Sequence, residues 1–271
     1  MEPTATPIER DIVIVRGADA GDYLQTQLSQ DVSGITVGAS MWSFLLTPKS
    51  DILALMRITR SSVEEFILDT DPGWGDTVRQ TIDEFLFRMD VEFEQSRWTG
   101  IAWRGGLPDL SDAPISAETP WKGIDGVDMI GPDVLMPEGA EVLSVSDLER
   151  VRIASGWPSM GLDIGPSITP VMTGLVPLTV GFEKGCYTGQ EFVARVHYRG
   201  AEPPKRLIQL EFDDAAIVES GTPIVIGGDD VGYVTSASRG VALGYLKRGN
   251  DTPSGGVVSD VEVRLLAVAN R

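Results

Sequence analysis

Between residues 11 and 104 the spacing of apolar positions switches repeatedly between a strand period and a helix period. "DIVIVRG" (11–17) is a short β-rich run closed by glycine. "ADAGDYLQTQLSQDV" then predicts a helix, with Asp19 as its cap, Asp22 near its positive end and Leu24, Leu28 and Val32 in one apolar stripe. "SMWSFLLTP" and "DILALMRITRS" predict two strands joined by a Pro-Lys-Ser-Asp turn, and "EEFILDTD" predicts a third. After the breaker-rich "DPGWG", "WGDTVRQTIDEFLFRMD" predicts an amphipathic helix with Val78, Ile82, Phe85, Leu86 and Met89 inward. "VEFE" and "RWTGIAWRG" return to strand character.

Residues 105–120, rich in Gly, Pro, Ser and Asp, predict a loop between subdomains. "SDLERVRIASGWP" (146–158) carries a helix-start pattern, Ser146 with Glu149 as a capping box, and Gly156 with Pro158 as a stop; Val151 and Ala154 continue the face. From "KRLIQLEF" (205–212) onward the runs become short and alternating: "TPIVI", "VGYVTSAS", "GVALGYL" and "VEVRLLAV", parted by glycine and proline turns. This pattern predicts a small all-β barrel over 201–271, following an α+β region over 1–200.

The 271 residues are enough to bury a sizeable core, and the 42% hydrophobic content is that of an ordinary folded protein. Forty acidic residues against 22 basic ones give a net charge of −18. A field of that sign repels nucleic acid and anionic membranes at long range, so direct nucleic-acid binding and membrane association are not expected. No run approaches the ~20 apolar residues a membrane-crossing helix needs. The N-terminal "MEPTATPIERD" lacks a basic-then-apolar leader, and a lone cysteine fits a reducing compartment; both point to the cytoplasm.

The sole cysteine and sole histidine fall together in "EKGCYTGQEFVARVHYRG" (183–200). Gly185 and Gly189 flank Cys186-Tyr187-Thr188 and allow a sharp turn. Lys184 lies two residues before the thiol, where its charge would favour the thiolate. Gln190 and Glu191 add hydrogen-bonding groups, and Arg195, His197, Tyr198 and Arg199 make a cationic-aromatic edge suited to a carboxylate or phosphate. Each feature also has a plainer reading. An unpaired cysteine is commonly a small packed residue. The alternation of Phe192, Ala194, Val196 and Tyr198 with Val193, Arg195, His197 and Arg199 predicts a half-buried strand with a solvated basic face. One Cys and one His cannot by themselves build a thiolate–imidazole metal site, and nothing marks an oxyanion hole for a Cys–His dyad.

"KGCYTGQE" (184–191), with Val193-Ala194-Arg195 and Arg199-Gly200 after it, resembles the signature of the YgfZ-type folate-binding proteins, paralogues of the glycine-cleavage T protein, the aminomethyltransferase. "VRGADAGDYLQTQLSQDV", "TPKSDILALMRI" (with Ser50 where that family has glycine), "VRIASGWPSMGLDI" and the barrel runs extend the resemblance over nearly the whole chain. The resemblance implies a three-module clover-leaf fold around a central opening, with the 1–200 region divided into two modules, the first about 1–104. It implies tetrahydrofolate as the cofactor and iron–sulfur proteins or their assembly machinery as partners, with an indirect effect on tRNA modification. It also implies working roles for Cys186 and Lys184, and ligand-positioning or motif roles for Gly185, Tyr187, Gly189, Gln190, Glu191 and Arg195.

Aminomethyltransferases hold folate with an aspartate, a glutamate and an arginine. Here those positions align with Ala54-Leu55, Ile124 and Leu148, none of which can manage a proton. Asp51 and Asp125 lie within a few residues of them. The sequence thus points to a folate-binding accessory protein of iron–sulfur cluster assembly or repair, with a folate-dependent one-carbon transferase as the alternative.

Overall fold

The computed structural model describes residues 3–106, 113–136, 140–250 and 255–268. The first half is a sheet of eight strands: β1 (Thr4–Arg16), β2 (Ser40–Leu46), β3 (Ile52–Arg60), β4 (Glu65–Thr70), β5 (Glu92–Arg104), β6 (Ile115–Glu118), β7 (Gly126–Gly131) and β8 (Glu141–Val142). Its order is β2-β3-β4-β1-β5-β7-β6, and β8 pairs in parallel with the start of β1. Strands β1 and β5 form the spine, antiparallel from Thr4↔Arg104 to Arg16↔Glu92. One sheet therefore runs on both sides of residue 104.

Helices α1 (Ala20–Gln27) and α2 (Gly75–Glu84) pack on one face of this sheet. There Val13, Val15, Met56, Ile58, Phe66 and Leu68 meet Leu24, Leu28, Val78 and Ile82. The period of two along a strand sends the intervening residues to the other face. That face carries Ile12, Ile14, Ile67 and Ile130 at one end and a row of charges at the other.

A chain of short helices covers the open end: α3 (Val145–Ala154), α4 (Pro170–Thr173), α5 (Val176–Thr179) and α6 (Gln190–Arg199). The barrel then closes from β9 (Lys205–Glu211), β10 (Pro223–Ile226), β11 (Asp229–Ser238), β12 (Val241–Lys247), β13 (Gly255–Val258) and β14 (Val261–Ala267), in the order β10-β11-β12-β9-β14-β13. It has its own core of Ile208, Leu210, Ile224, Val234, Leu246 and Val263. A separate apolar cluster joins the parts, drawing Phe44 and Leu55 from the sheet, Ile153 and Trp157 from α3 and the turn after it, Tyr187 and Val193 from the signature segment, and Leu207 and Leu243 from the barrel. The α+β clover-leaf with a terminal barrel expected from the sequence is the observed fold.

Several local expectations are corrected. Residues 190–199 form helix α6 and not a strand, because left-handed glycines stand at both ends, Gly189 at φ 80° and Gly200 at φ 60°. In helical spacing Phe192, Val193 and Val196 share a face, and Val193 is fully buried. Helix α3 is capped by Ser144, whose hydroxyl accepts from the Asp147 N–H at 3.1 Å, so the capping box of Ser146 and Glu149 does not form. Glu149 instead pairs with Arg152, and the buried face is Leu148, Arg152 and Ile153, with Ala154 exposed. Asp19 sits at the start of α1 but its carboxylate accepts from the Asp90 N–H, tying α1 to the turn before β5. Helix α2 ends at Glu84, which leaves Phe85 half exposed. Strand β6 lies inside the stretch expected to be a loop, 105–120, of which 107–112 are outside the described residues.

Candidate functional site

The charged face of the sheet forms one wall of a cavity of about 680 Å³. The other walls come from α3, from the 157–162 turn and from Trp121. Register explains the wall. Arg57 on β3 pairs directly with Asp69 on β4 and with Trp42 on β2, so all three project to the same side. Arg10 on β1, Arg104 on β5 and Asp128 on β7 lie on that side too, at alternating positions of their strands.

The charges interlock. Asp69, fully buried, accepts from Arg57 at 2.9 Å and from Arg10 at 2.9 Å. Asp128 bridges Arg57 at 3.3 Å and Arg104 at 2.9 Å. Burial pushes the Asp128 carboxyl upward, but Arg104 and Arg57 outweigh it and hold the group below the usual carboxylate range. Asp71 accepts from Arg10 and, at 3.0 Å, from the Met160 N–H, which fastens the 157–162 turn over the sheet. Burial works against the Arg10 cation, yet Asp71 and Asp69 together raise it further above its ordinary value. Aromatic rings complete the lining. The Arg104 guanidinium lies 4.2 Å over Trp121 and Arg57 lies 5.4 Å over Trp42, while Trp42 and Trp157 meet edge to face at 4.8 Å. Among the described residues the Nε–H of Arg104 is buried without a partner.

On the opposite wall Arg152 spreads its donors between two carboxylates. Its Nε and Nη2 hold Glu149 at 2.8 and 2.6 Å, and its Nη1 holds Asp163 at 2.8 Å and also reaches the Trp157 carbonyl. Asp163, with no exposure, further accepts from the Ser159 N–H and from the hydroxyls of Thr235 and Ser236 on β11. The barrel is thereby wired to the cavity wall.

The signature segment lies elsewhere. Cys186 is a free, exposed thiol and is not among the cavity-lining residues. Its loop rests on α1 and on the β2–β3 turn. The Lys184 ammonium donates to the carbonyls of Leu28 at 2.6 Å and Gln30 at 2.8 Å, and lies 5.1 Å over the Tyr187 ring. Burial lowers Lys184 from 10.5 to about 8, against a weaker upward pull from Asp31. Tyr187 is buried in the joining core, and burial pushes its hydroxyl up to about 12. Gly189 is needed as glycine: a Cβ there would lie 2.4 Å from the Thr47 carbonyl oxygen. The Ser50 hydroxyl donates to the Gly189 carbonyl, and Ser50 itself is left-handed at φ 71°. At Gly185 a side chain would meet open space. Gln190 and Glu191 start α6, and Glu191 and Arg195 point into solvent along with His197, which stacks 3.7 Å from Phe182.

Of the positions aligned with transferase ligands, Leu148 lines the cavity, Leu55 is buried in the joining core and Ile124 lies in a shallow surface hollow with Asp125. Acids at other positions do line the opening: Asp71, Asp128 and Glu149, and the exposed Glu9. Asp128 is a lone charge in the apolar run "GVDMIG", and Asp69 and Asp71 alternate at the end of "FILDTD". A buried charge needs a partner, so solitary Arg and Asp residues in neighbouring predicted strands were the available signal.

Comparison with known proteins agrees with this architecture. Residues 205–261 match the glycine cleavage T-protein C-terminal barrel domain. The chain is 23% identical to an aminomethyltransferase of Desulfitobacterium hafniense over 86% of its own length and 75% of that protein. It is 27% identical to an uncharacterized protein of Haemophilus influenzae, over 70% and 67% of the two chains. The crystal structure of glycine cleavage system aminomethyltransferase T from Bartonella henselae superposes with a TM-score of 0.80 at 19% identity, covering 99% of this chain and 86% of that one. The fold and its barrel therefore define the class: an aminomethyltransferase fold. Within that fold, residues 205–261 are similar to the T-protein barrel domain, and they follow a sheet whose inner wall is an arginine–aspartate lattice. Among the described residues no helix is long and apolar enough to cross a membrane.

Proposed function

We propose that the chain is a YgfZ-type folate-binding accessory protein, holding a tetrahydrofolate-type cofactor in the central cavity and serving iron–sulfur cluster assembly or repair. Through its client enzymes it affects tRNA modification. The observation that carries this reading is an aromatic-walled cavity whose sheet-side carboxylates Asp71 and Asp128 are engaged by guanidinium groups. Its volume falls within the ~300–1,000 Å³ of small-molecule sites, and Trp121, Trp157 and Arg104 suit a planar heteroaromatic ring with hydrogen-bonding edges. Bound there, tetrahydrofolate would supply one-carbon carrier chemistry. Aminomethyl transfer would need an acid or base free to exchange a proton. Asp128 is held ionised by Arg104 and Arg57 and is poorly placed for that role. The "KGCYTGQE" loop gives the chain a second working surface, apart from the cavity, with Cys186 as a transient thiol contact for a client and Lys184, Gly185, Gly189, Gln190, Glu191 and Arg195 shaping the surface around it.

The alternative, a folate-dependent one-carbon transferase, draws support from the carboxylates in the cavity and predicts formaldehyde or methylene-tetrahydrofolate from a methylated amine. The deciding experiment deletes the gene, assays iron–sulfur enzymes and complements with the wild-type chain or Cys186→Ala. Lost activity restored by wild type and not by the alanine variant supports the proposal. Full rescue by Cys186→Ala removes the thiol role, and unaffected iron–sulfur enzymes remove the accessory role.

A further inference from the structure

With 40 acidic residues in the chain, an arginine rarely lacks a carboxylate, and exposure alone does not deprive it of one. The side chains of Arg97, Arg239 and Arg264 are 56%, 68% and 74% exposed, yet each reaches a carboxylate, at 2.8, 3.6 and 3.5 Å. Among the described residues three arginines make neither an ion pair nor a hydrogen bond with the guanidinium. Arg88 lies 4.9 Å over the Phe87 ring, and the other two, Arg195 and Arg199, are both on α6. Four positions apart, they share one exposed face of the helix. Glu191 lies four positions before Arg195 and closes no ion pair with it. Tyr198 stands next to them, exposed but fixed by rings. Phe182 stacks on His197 at 3.7 Å, and both meet Tyr198 edge-on, at 6.1 and 5.2 Å. Lys49 borders the start of the helix, since its neighbour Ser50 donates to the Gly189 carbonyl, and among the described residues its exposed ammonium has no partner. Lys49, Arg195 and Arg199 thus leave an uncompensated cationic rim on a chain of net charge −18, beside the loop that exposes Cys186.

We propose that this face of α6 docks an acidic patch of a partner protein, with Arg195 and Arg199 meeting its carboxylates and Tyr198 as the central anchor. This rests on the client reading of the "KGCYTGQE" loop above and adds the chemistry of the client: the surface it brings to Cys186 is rich in Asp and Glu. Tyrosine and arginine are the residue types that carry binding energy at protein interfaces, and a ring already held in place loses little freedom on association. Charge selects a protein over a nucleic acid. A polyanion would run on into surface that repels it, whereas a folded partner needs to place only a local acidic patch against the cationic rim.

The test complements the deletion strain with the wild-type chain, Cys186→Ala, the pair Arg195→Glu with Arg199→Glu, and the pair Arg195→Lys with Arg199→Lys, each checked for folding by thermal melting. Iron–sulfur enzyme activity is the readout. The glutamate pair should lose rescue as fully as Cys186→Ala, while the lysine pair, which keeps the charge, should retain most of it. If the glutamate pair fails to fold, Arg199→Glu alone replaces it and must also lose rescue. Full rescue by the glutamate pair, with rescue lost in Cys186→Ala, overturns the docking face and leaves the client reading standing. Full rescue by Cys186→Ala, with rescue lost in the glutamate pair, removes the thiol contact and supports the face. Loss in the lysine pair as complete as in the glutamate pair overturns the charge basis of the contact. A gel shift of bulk tRNA by the wild-type chain that the glutamate pair abolishes gives the face to nucleic acid and overturns the protein partner. A deletion strain with unaffected iron–sulfur enzymes overturns both readings.

Discussion

The sheet-side cavity wall and the "KGCYTGQE" loop are built on opposite terms. The wall consists of charges with almost no exposure, each fixed by another charge across a strand register. The loop exposes its thiol and is fixed mainly by backbone contacts: Lys184 on two carbonyls, Gly189 against Thr47, Ser50 on Gly189. A recognisable motif and the main cavity are thus different places, joined through the apolar core that holds Tyr187, Val193 and Trp157. The comparison teaches that the conspicuous residues of the segment secure or decorate a surface, while the cavity is made by residues that attract no attention one at a time.

The strongest way to break this contrast is at the wall. Asp69→Ala removes the fully buried carboxylate shared by Arg10 and Arg57 and leaves excess cationic charge in the interior. It should cost about 3–5 kcal/mol in urea unfolding, and a loss below about 1 kcal/mol would mean that water compensates the guanidinium groups. Next comes a pair inside the loop. Gly189→Ala forces a Cβ toward the Thr47 carbonyl at φ 80° and should destabilise by about 2 kcal/mol. Gly185→Ala meets open space and should stay within about 0.5 kcal/mol. Equal effects from the two would refute the packing assigned to the loop.

The smallest effect is a titration. Because burial lowers Lys184 to about 8, the folded chain releases that proton while the unfolded chain still holds it, up to the ordinary lysine value of 10.5. Over that interval the unfolded state binds more protons, so this group's contribution to stability rises with pH from about 8 to 10.5 and is flat below it. Acylation of the native protein followed by peptide mapping should show Lys184 reaching half-maximal reactivity near pH 8. Half-reactivity in the ordinary lysine range would place its ammonium in water.

Much of the fold was legible in the chain. Alternation marked β2, β3, β4 and most of the barrel, and glycine and proline marked their ends. Errors arose where local pattern and tertiary pairing disagree. Strand β1 begins at Thr4, before the apolar run and through Pro7, because β5 runs antiparallel to it along its whole length. "VEFE" and "RWTGIAWRG" merge into β5 for the same reason, with polar Gln95 and Ser96 carried along by the pairing. Strand β13 escaped because "GGVV" is too short to show a period, and it is held by β14 and a single pair with β10.

By itself the sequence determined what short-range sterics and burial decide: which runs extend, where glycine must turn, that a barrel ends the chain, and that residues 184–191 form a glycine-bounded loop. Tertiary structure alone decided that Lys184 turns to the carbonyls of Leu28 and Gln30, and that six charges from β1, β3, β4, β5, β7 and the residue after β4 meet around one cavity. The reason is range. A period is written in neighbours a few positions apart, whereas a buried charge is tolerable only beside a partner that strand register brings from a distant part of the chain, as it brings Asp128 to Arg57.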